Sequence, residues 1–148
     1  MVFGIGKLLG GKAKDAVNQF SGSKDFLEGL CAASALVAAA DGSIDDSEYD
    51  TALDVIRNNV AIAAAFGTGE IESVFGKMAP KTKTRSGKAE LKEEIRQVIA
   101  RDKSGAMGQA IVYVMLDVAD SGGIDAAEEK VMREIAGIAN VNYDKLAA

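Results

Sequence analysis

Two stretches of the chain, eighty positions apart, place acidic residues at the same spacing just after an alanine-rich apolar run. Both contain the pattern Gly-x-Ile-Asp-x-x-Glu, at residues 42–48 and 122–128. Carboxylate oxygens are the ligands that hard divalent cations such as Ca²⁺ and Mg²⁺ prefer. The spacing therefore indicates a candidate metal site on six carboxylates, namely Asp41, Asp45 and Glu48 in the first copy and Asp120, Asp125 and Glu128 in the second.

Each copy matches only the second half of a calcium-binding EF-hand loop. Counted back from the glutamate, glycine, isoleucine and the first acid stand where such a loop has them. In the first half, Val37 and Ala39 replace acids in one copy, while the other copy keeps Asp117 but has Ala119. Two incomplete loops that met across a pseudo-twofold axis would bring carboxylates together. Their mutual repulsion would favour a divalent cation or a basic partner surface.

The same residues have a second interpretation, helix capping, which uses no ligand. A glycine just past a helix end can adopt the left-handed conformation that closes the helix. Asp45 or Asp125 can then cap the next helix, and Glu48 or Glu128, three positions later, can complete a capping box. The isoleucine before each aspartate stands where a hydrophobic staple is expected. Capping and cation binding both remain open at this point.

The elements that must position these turns are predicted to be helices. Hydrophobic residues make up 48% of the chain and aromatic residues 5%, and there is one proline, which favours closely packed helices built from small aliphatic side chains. No segment alternates with period two as a strand would. We predict an all-α bundle of about seven to eight helices in two pseudo-symmetric halves. The predicted helical segments are Lys24–Ala40, Asp46 to about Asn59, Ala61–Phe66 (a continuation or a separate helix), Glu70–Lys77, Ala89–Arg101, Ala106–Ala119, Ala126–Asn140 and Tyr143–Ala148.

The chain is predicted to form one domain over residues 1–148. It divides into an amphipathic N-terminal segment at 1–20, a first half at 24–76, a basic connector at 77–88 and a second half at 89–148. The connector carries five basic residues and no acid, which is typical of a solvated link between halves. The alternative is a docking site for an acidic partner or an anionic lipid. The N-terminal segment is expected to dock on the protein body or on a membrane surface.

Charge and composition exclude several classes of function. The net charge of −5 disfavours nucleic acid as a partner, because a phosphate backbone is bound by clustered positive charge. The chain has no histidine, so the commonest general base and metal ligand is missing. The single cysteine, Cys31, lies in an apolar run and is expected to be buried and inert. We therefore expect no catalytic site and identify no small-molecule substrate.

The expected location is the cytoplasm. No signal peptide is visible, and no apolar run reaches the roughly 18–20 residues that a membrane-spanning helix needs. A lone cysteine is also typical of a reducing compartment.

Two longer strings resemble the signatures of the TerB family of tellurite-resistance proteins. The first comprises Phe26-Leu27-Glu28-Gly29 and Leu36-Val37-Ala38-Ala39-Ala40-Asp41-Gly42, followed by Ile44 and Glu48. The second comprises Val118-Ala119-Asp120, Gly122, Ile124, Glu128 and Val131-Met132-Arg133-Glu134-Ile135-Ala136. With the ending Asn142-Tyr143-Asp144, the resemblance covers nearly the whole chain.

The resemblance implies an all-helical fold of two similar halves with an acidic patch formed by the two turns. It also implies a place in bacterial or phage tellurite-resistance and stress-response systems, where members look like cation-binding or scaffold modules. Their partners are other tellurite-resistance proteins, some at the inner membrane. Carried over by position, the acidic candidates are Asp41, Glu48 and Glu128. Ser121 departs from the family, which has aspartate before the second glycine, so either Asp120 substitutes or the second turn only caps.

The function expected from the sequence is therefore a non-enzymatic stress-response module. Its acidic patch would bind a divalent cation, Ca²⁺ or Mg²⁺, and serve partner assembly. The alternative is a helical adaptor or membrane-peripheral protein that acts through Met1–Phe20 and the basic connector.

Overall fold

The computed structural model describes residues 14–42, 44–120 and 123–147, and these ranges contain helices and turns but no strand. The all-α prediction is confirmed. Residues 14–19 are helical. The named helices are α1 (Lys24–Ala38), α2 (Asp46–Asn58), α3 (Val60–Ala65), α4 (Thr68–Met78), a 3₁₀ helix (Ala79–Lys83), α5 (Arg85–Arg101), α6 (Met107–Asp120), α7 (Ala126–Ile138) and α8 (Tyr143–Ala147).

Helix α1 forms the centre of the fold. It packs against α4, α5, α6 and α7, and most of its side chains are buried. Its alanines and its glycine let the neighbouring helices approach closely. A Cβ atom at Gly29 would lie 2.7 Å from Ile111 Cδ1 and 2.8 Å from Val98 Cγ2, so α5 and α6 both press on this position. The alanine-rich composition of α1 is therefore a packing requirement.

The described end of the N-terminal segment docks on the protein body. Val17 and Phe20 are buried, and the Phe20 ring stacks on Phe26 of α1 at 5.3 Å between centroids. Phe26 in turn stacks on Phe66, just after α3, at 6.2 Å. Residues 1–13, on which the rest of the amphipathic prediction falls, lie outside the described residues.

The basic connector, predicted to be a solvated link, contains a 3₁₀ helix and the first turn of α5. Its 3₁₀ helix buries Ala79 and Thr82, and the Thr82 hydroxyl donates to the Ala79 carbonyl at 2.7 Å. Thr84 then caps α5 by accepting from the Gly87 amide at 2.9 Å. Helix α5 therefore begins at Arg85, four residues before the predicted start at Ala89. The basic side chains nevertheless stay accessible, with Lys88 half-buried.

Two polar side chains set further helix boundaries. Asn59 has an extended backbone and accepts from the Ala61 and Ile62 amides, which makes α3 a helix separate from α2. Asp102 accepts from the Ala106 and Met107 amides at the start of α6. Burial raises the pKa of Asp102, but bonds from these amides and from Ser104 outweigh it and hold the pKa below its usual value.

Candidate functional site

The first acidic turn, described at residues 39–42 and 44–45, joins α1 to α2. Gly42 has a φ of +144°, a conformation that favours glycine. Asp45 Oδ1 accepts from the Glu48 amide at 2.7 Å, and Glu48 Oε1 accepts from the Asp45 amide at 3.0 Å. This reciprocal pair is a capping box, so the capping interpretation of Asp45 and Glu48 is confirmed.

The second acidic turn, described from Gly123 to Asp125, leads into α7 with the same geometry. Asp125 Oδ1 accepts from the Glu128 amide at 2.8 Å, and Glu128 Oε1 accepts from the Asp125 amide at 3.0 Å. Gly123 has a φ of +80°. Both copies of the repeat therefore begin a helix with a capping box. Each glutamate uses Oε1 for the cap, and its Oε2 makes no hydrogen bond to a described residue.

A basic residue from the connector reaches the first turn. The Lys88 ammonium donates to the Gly42 carbonyl at 2.7 Å and lies 3.5 Å from the Ala39 carbonyl. These carbonyls belong to the chain just past the end of α1, where the helix dipole is negative. Sequence analysis missed this contact because the partners are more than forty positions apart. The only sequence signal of this contact was that Lys88 belongs to the basic stretch 77–88, which contains no acid.

The last turn of α6 carries two of the carboxylates considered from the sequence. Asp117 Oδ2 accepts from the Asn59 side-chain amide at 2.7 Å, which ties α6 to the junction between α2 and α3. Asp120 is half-buried, and its carboxylate accepts no hydrogen bond from the described residues. The carboxylate of Asp41, which is exposed, also accepts no hydrogen bond from the described residues. A carboxylate near a helix C-terminus is electrostatically unfavourable, so this end of α6 attracts positive charge.

A cleft of about 340 Å³ connects the two acidic turns. Glu48 in the first turn of α2 and Glu128 in the first turn of α7 both line it, so the structure brings these two predicted residues to one site. Asp41, Asp45, Asp120 and Asp125 do not line it. Its other lining residues are Ser34, Val37 and Ala38 of α1, Ser47, Thr51, Ala52, Val55 and Ile56 of α2, Met115, Val118 and Ala119 of α6, and Gly123.

Ser34 contributes an unsatisfied polar group to this cleft. Ser34 is 8% exposed, and its hydroxyl has no hydrogen-bond partner among the described residues. Buried hydroxyls are nearly always bonded, because an unmade bond costs free energy. Ser34 was not predicted as a site residue. Its sequence signal was a single hydroxyl within the run Ala32-Ala33-Ser34-Ala35.

A metal centre on the six carboxylates stays a prediction. Within the described ranges, no group of three or more His, Cys, Asp or Glu residues is placed to hold a metal ion. Four of the six carboxylates also serve as caps, and a hard cation requires six or more oxygen ligands. The described carboxylates do not form a closed coordination shell.

Cys31 is fully buried in α1. Burial raises the pKa of its thiol to about 12, and Glu28 acts in the same direction. The thiol is therefore not a nucleophile at neutral pH, as the sequence indicated.

None of the helices in the described ranges combines the length and the apolar character needed to cross a membrane.

Comparisons with known proteins bear directly on this arrangement of two capped acidic turns. The family model described as tellurite resistance protein TerB matches residues 27–148, which include both turns and the whole cleft. Searches of curated proteins and of solved structures found no match.

Proposed function

The chain belongs to the TerB family of tellurite resistance proteins, and from that membership we propose that it is a non-enzymatic stress-response module that binds positive charge. The proposed binding surface is the acidic face formed by the two turns. Its ligand is a divalent cation, Ca²⁺ or Mg²⁺, or the basic surface of another tellurite-resistance protein. The cytoplasm is the proposed location, with such partners at the inner membrane.

One observation carries this proposal: Glu48 and Glu128, from the two copies of the repeat, line one cleft and have no ion-pair partner in the described part of the chain. Other glutamates are paired, for example Glu134 with Lys92 at 2.8 Å and Glu129 with Arg133 at 3.1 Å. Unpaired carboxylates on one face raise its negative potential and concentrate cations there. The face is thus complementary to a positively charged ligand.

Calorimetric titration of the metal-stripped protein with Ca²⁺ and Mg²⁺ tests the cation ligand. The informative variant is Asp41→Asn with Asp120→Asn, because neither carboxylate is part of a cap and the fold is left intact. Glu70→Gln with Glu94→Gln removes the same charge from helices α4 and α5 and serves as the matched control. Saturable heat that the first pair abolishes and the control retains supports cation binding.

A lysine-rich peptide provides the second arm of this test. If its heat of binding depends on Asp41 and Asp120 while the metals produce none, the face is a protein-docking surface. If neither metal nor the peptide produces saturable heat that depends on Asp41 and Asp120, the proposal is contradicted.

The ordered basic connector favours a second function, membrane-peripheral attachment. Lys77, Lys81, Lys83 and Arg85 are exposed on one short stretch, and in the described part of the chain only Lys81 of these approaches an acid, Glu90 at 3.5 Å. Each accessible basic residue near an anionic bilayer contributes about 1 kcal/mol of attraction. Sedimentation with anionic liposomes should then fall when Lys77, Lys81 and Lys83 are changed to Gln. Unchanged sedimentation would exclude the connector as the contact.

A further inference from the structure

The cleft between the acidic turns has the size and the walls of a side-chain pocket. Val37 of α1, Val55 of α2 and Met115 of α6 are among its apolar lining residues. Its volume of about 340 Å³ is roughly twice that of a cavity of about 150 Å³ that binds benzene. This volume is therefore sufficient for an aromatic side chain. The described polar lining is two glutamates and the hydroxyls of Ser34, Ser47 and Thr51, which is fewer strong oxygen ligands than the six or more that a hard cation takes.

The unbonded hydroxyl of Ser34 adds a chemical requirement for the occupant. Ser34 lines the cleft, yet it is nine-tenths buried and its Oγ has no partner among the described residues. An occupant with a polar group at the end of an apolar body would satisfy this hydroxyl. Tyrosine has that form, because its ring is apolar and its phenolic group can donate or accept.

The charge at the cleft sets a second requirement. Among the described residues, Glu48 and Glu128 are the only charged ones that line it, and no basic residue does. Each keeps Oε2 available, since only Oε1 serves the capping box. Both glutamates are accessible, whereas Ser34 is buried, so the negative charge lies nearer the solvent than the hydroxyl.

We propose that the cleft binds a segment of a partner protein in which a tyrosine enters between α1, α2 and α6 and flanking lysine or arginine residues pair with Glu48 and Glu128. The proposal rests on the proposed function and specifies the chemistry of its protein partner. The tyrosine hydroxyl bonds Ser34 Oγ, and the ring packs on the apolar walls. The flanking cations set the orientation of the segment.

Binding of synthetic peptides to the full-length protein, followed by fluorescence anisotropy, tests this proposal. The probe is a peptide of about ten residues with one central tyrosine and lysines on both sides, a length that spans a cleft of this size. Matched peptides carry Phe in place of Tyr, or Glu in place of Lys. The tyrosine peptide should bind saturably and about five- to tenfold more tightly than the phenylalanine peptide, as one neutral hydrogen bond predicts.

Variants of the protein separate the three contacts. In Ser34→Ala the preference for Tyr over Phe should disappear. In Ala119→Leu, which fills the cleft from α6, affinity should fall at least tenfold, or about 1.4 kcal/mol. Ala100→Leu, at an exposed position of α5, is the matched control and should bind normally. Glu48→Gln with Glu128→Gln keeps both caps, because the glutamine carbonyl accepts the same bond. It should weaken binding about three- to tenfold at low salt.

Several outcomes would overturn the proposal. In one such outcome, Glu48→Gln with Glu128→Gln weakens peptide binding but Ala119→Leu does not. Only the acidic surface would then be used, which overturns the cleft proposal but still supports the proposed function. Equal binding of the Tyr and Phe peptides by the wild-type protein removes the role of Ser34. No binding by any peptide rejects the cleft as a docking site. If the wild-type protein self-associates in a sedimentation experiment and Ala119→Leu abolishes this, the cleft binds a second copy of the chain and not a partner protein. Circular dichroism of each variant confirms that it is folded.

Discussion

The two acidic turns begin their helices in the same way but are held in the fold differently. Their capping-box distances agree within 0.1 Å, at 2.7 and 3.0 Å in the first turn and 2.8 and 3.0 Å in the second. Ile44 before the first cap is 8% exposed, whereas Ile124 before the second is 37% exposed. The local pattern therefore sets the start of each helix, and long-range packing sets how deeply each turn is buried.

Lys88 adds to this difference. Its ammonium bonds the Gly42 carbonyl in the first turn, and no described lysine or arginine bonds Gly123 or the other described residues of the second. Helix α6 also continues through Asp120, two residues beyond the position equivalent to the end of α1 at Ala38. The first turn is thus tethered to the start of α5 by Lys88, and the described residues of the second turn have no such contact.

The largest expected effect comes from truncating the two isoleucines. Ile44→Ala should lower the free energy of unfolding by about 2–4 kcal/mol, because it empties a buried site. Ile124→Ala should cost less than about 1 kcal/mol, since its side chain is already partly in water. Urea denaturation followed by circular dichroism measures both. Equal losses of unfolding free energy in the two variants would show that the two isoleucines are buried alike, which contradicts the difference between the turns.

Removing the caps should, in contrast, affect the two turns equally. Asp45→Ala and Asp125→Ala each lose a capping bond of the same geometry, so each should cost about 1 kcal/mol. Asp→Asn at the same positions keeps a side-chain acceptor and serves as the control. A difference of more than about 1 kcal/mol between the two alanine variants would mean that tertiary contacts, and not the box, dominate one of them.

Lys88→Met should destabilise the first turn by about 0.5–1 kcal/mol. The lysine donates a charged hydrogen bond to Gly42, but the contact is exposed, so its contribution is reduced by solvent. Lys130→Met, at an exposed position of α7, is the matched control and should be nearly neutral. Hydrogen exchange should show faster opening of the first turn only. Equal exchange in both variants would contradict the tether.

The start of α6 offers a test through pH, with the smallest expected effect. The pKa of Asp102 is lowered in the folded protein, so its contribution to stability is fully present above the unfolded pKa of about 3.9. That contribution is lost as the pH falls through the lower folded pKa. Asp102→Asn should therefore flatten the dependence of Tm on pH below about 5. An unchanged profile would show that the start of α6 is not held by this carboxylate.

Much of the helical framework could be predicted from the sequence, since local signals define it. The starts of α2 at Asp46 and α7 at Ala126 were predicted from the capping pattern and are confirmed. The start of α5 was missed, because Thr84 is followed at the third position by Gly87 and not by an acid. That glycine is required by a close contact with the preceding 3₁₀ helix, since a Cβ there would lie 1.9 Å from the Lys81 carbonyl oxygen.

The candidate site was only partly visible in the sequence. The pattern identified Glu48 and Glu128, which do line one cleft, but it grouped them with four aspartates that do not. Ser34 was missed because one hydroxyl in an apolar helix has no spacing that marks it. Ser34 becomes a site residue because it lines the cleft, and the cleft is formed by α1, α2 and α6 together.

The sequence alone determined the all-helical class, the family and the two capped helix starts, because capping acts between residues three positions apart. Only the tertiary structure decided that Ile44 is buried and Ile124 is not, that Lys88 reaches Gly42, and that an apolar cleft with one unbonded hydroxyl separates the two glutamates. These features depend on how distant helices pack. A local repeat can specify the same turn twice, but it cannot specify the different neighbours that each turn meets.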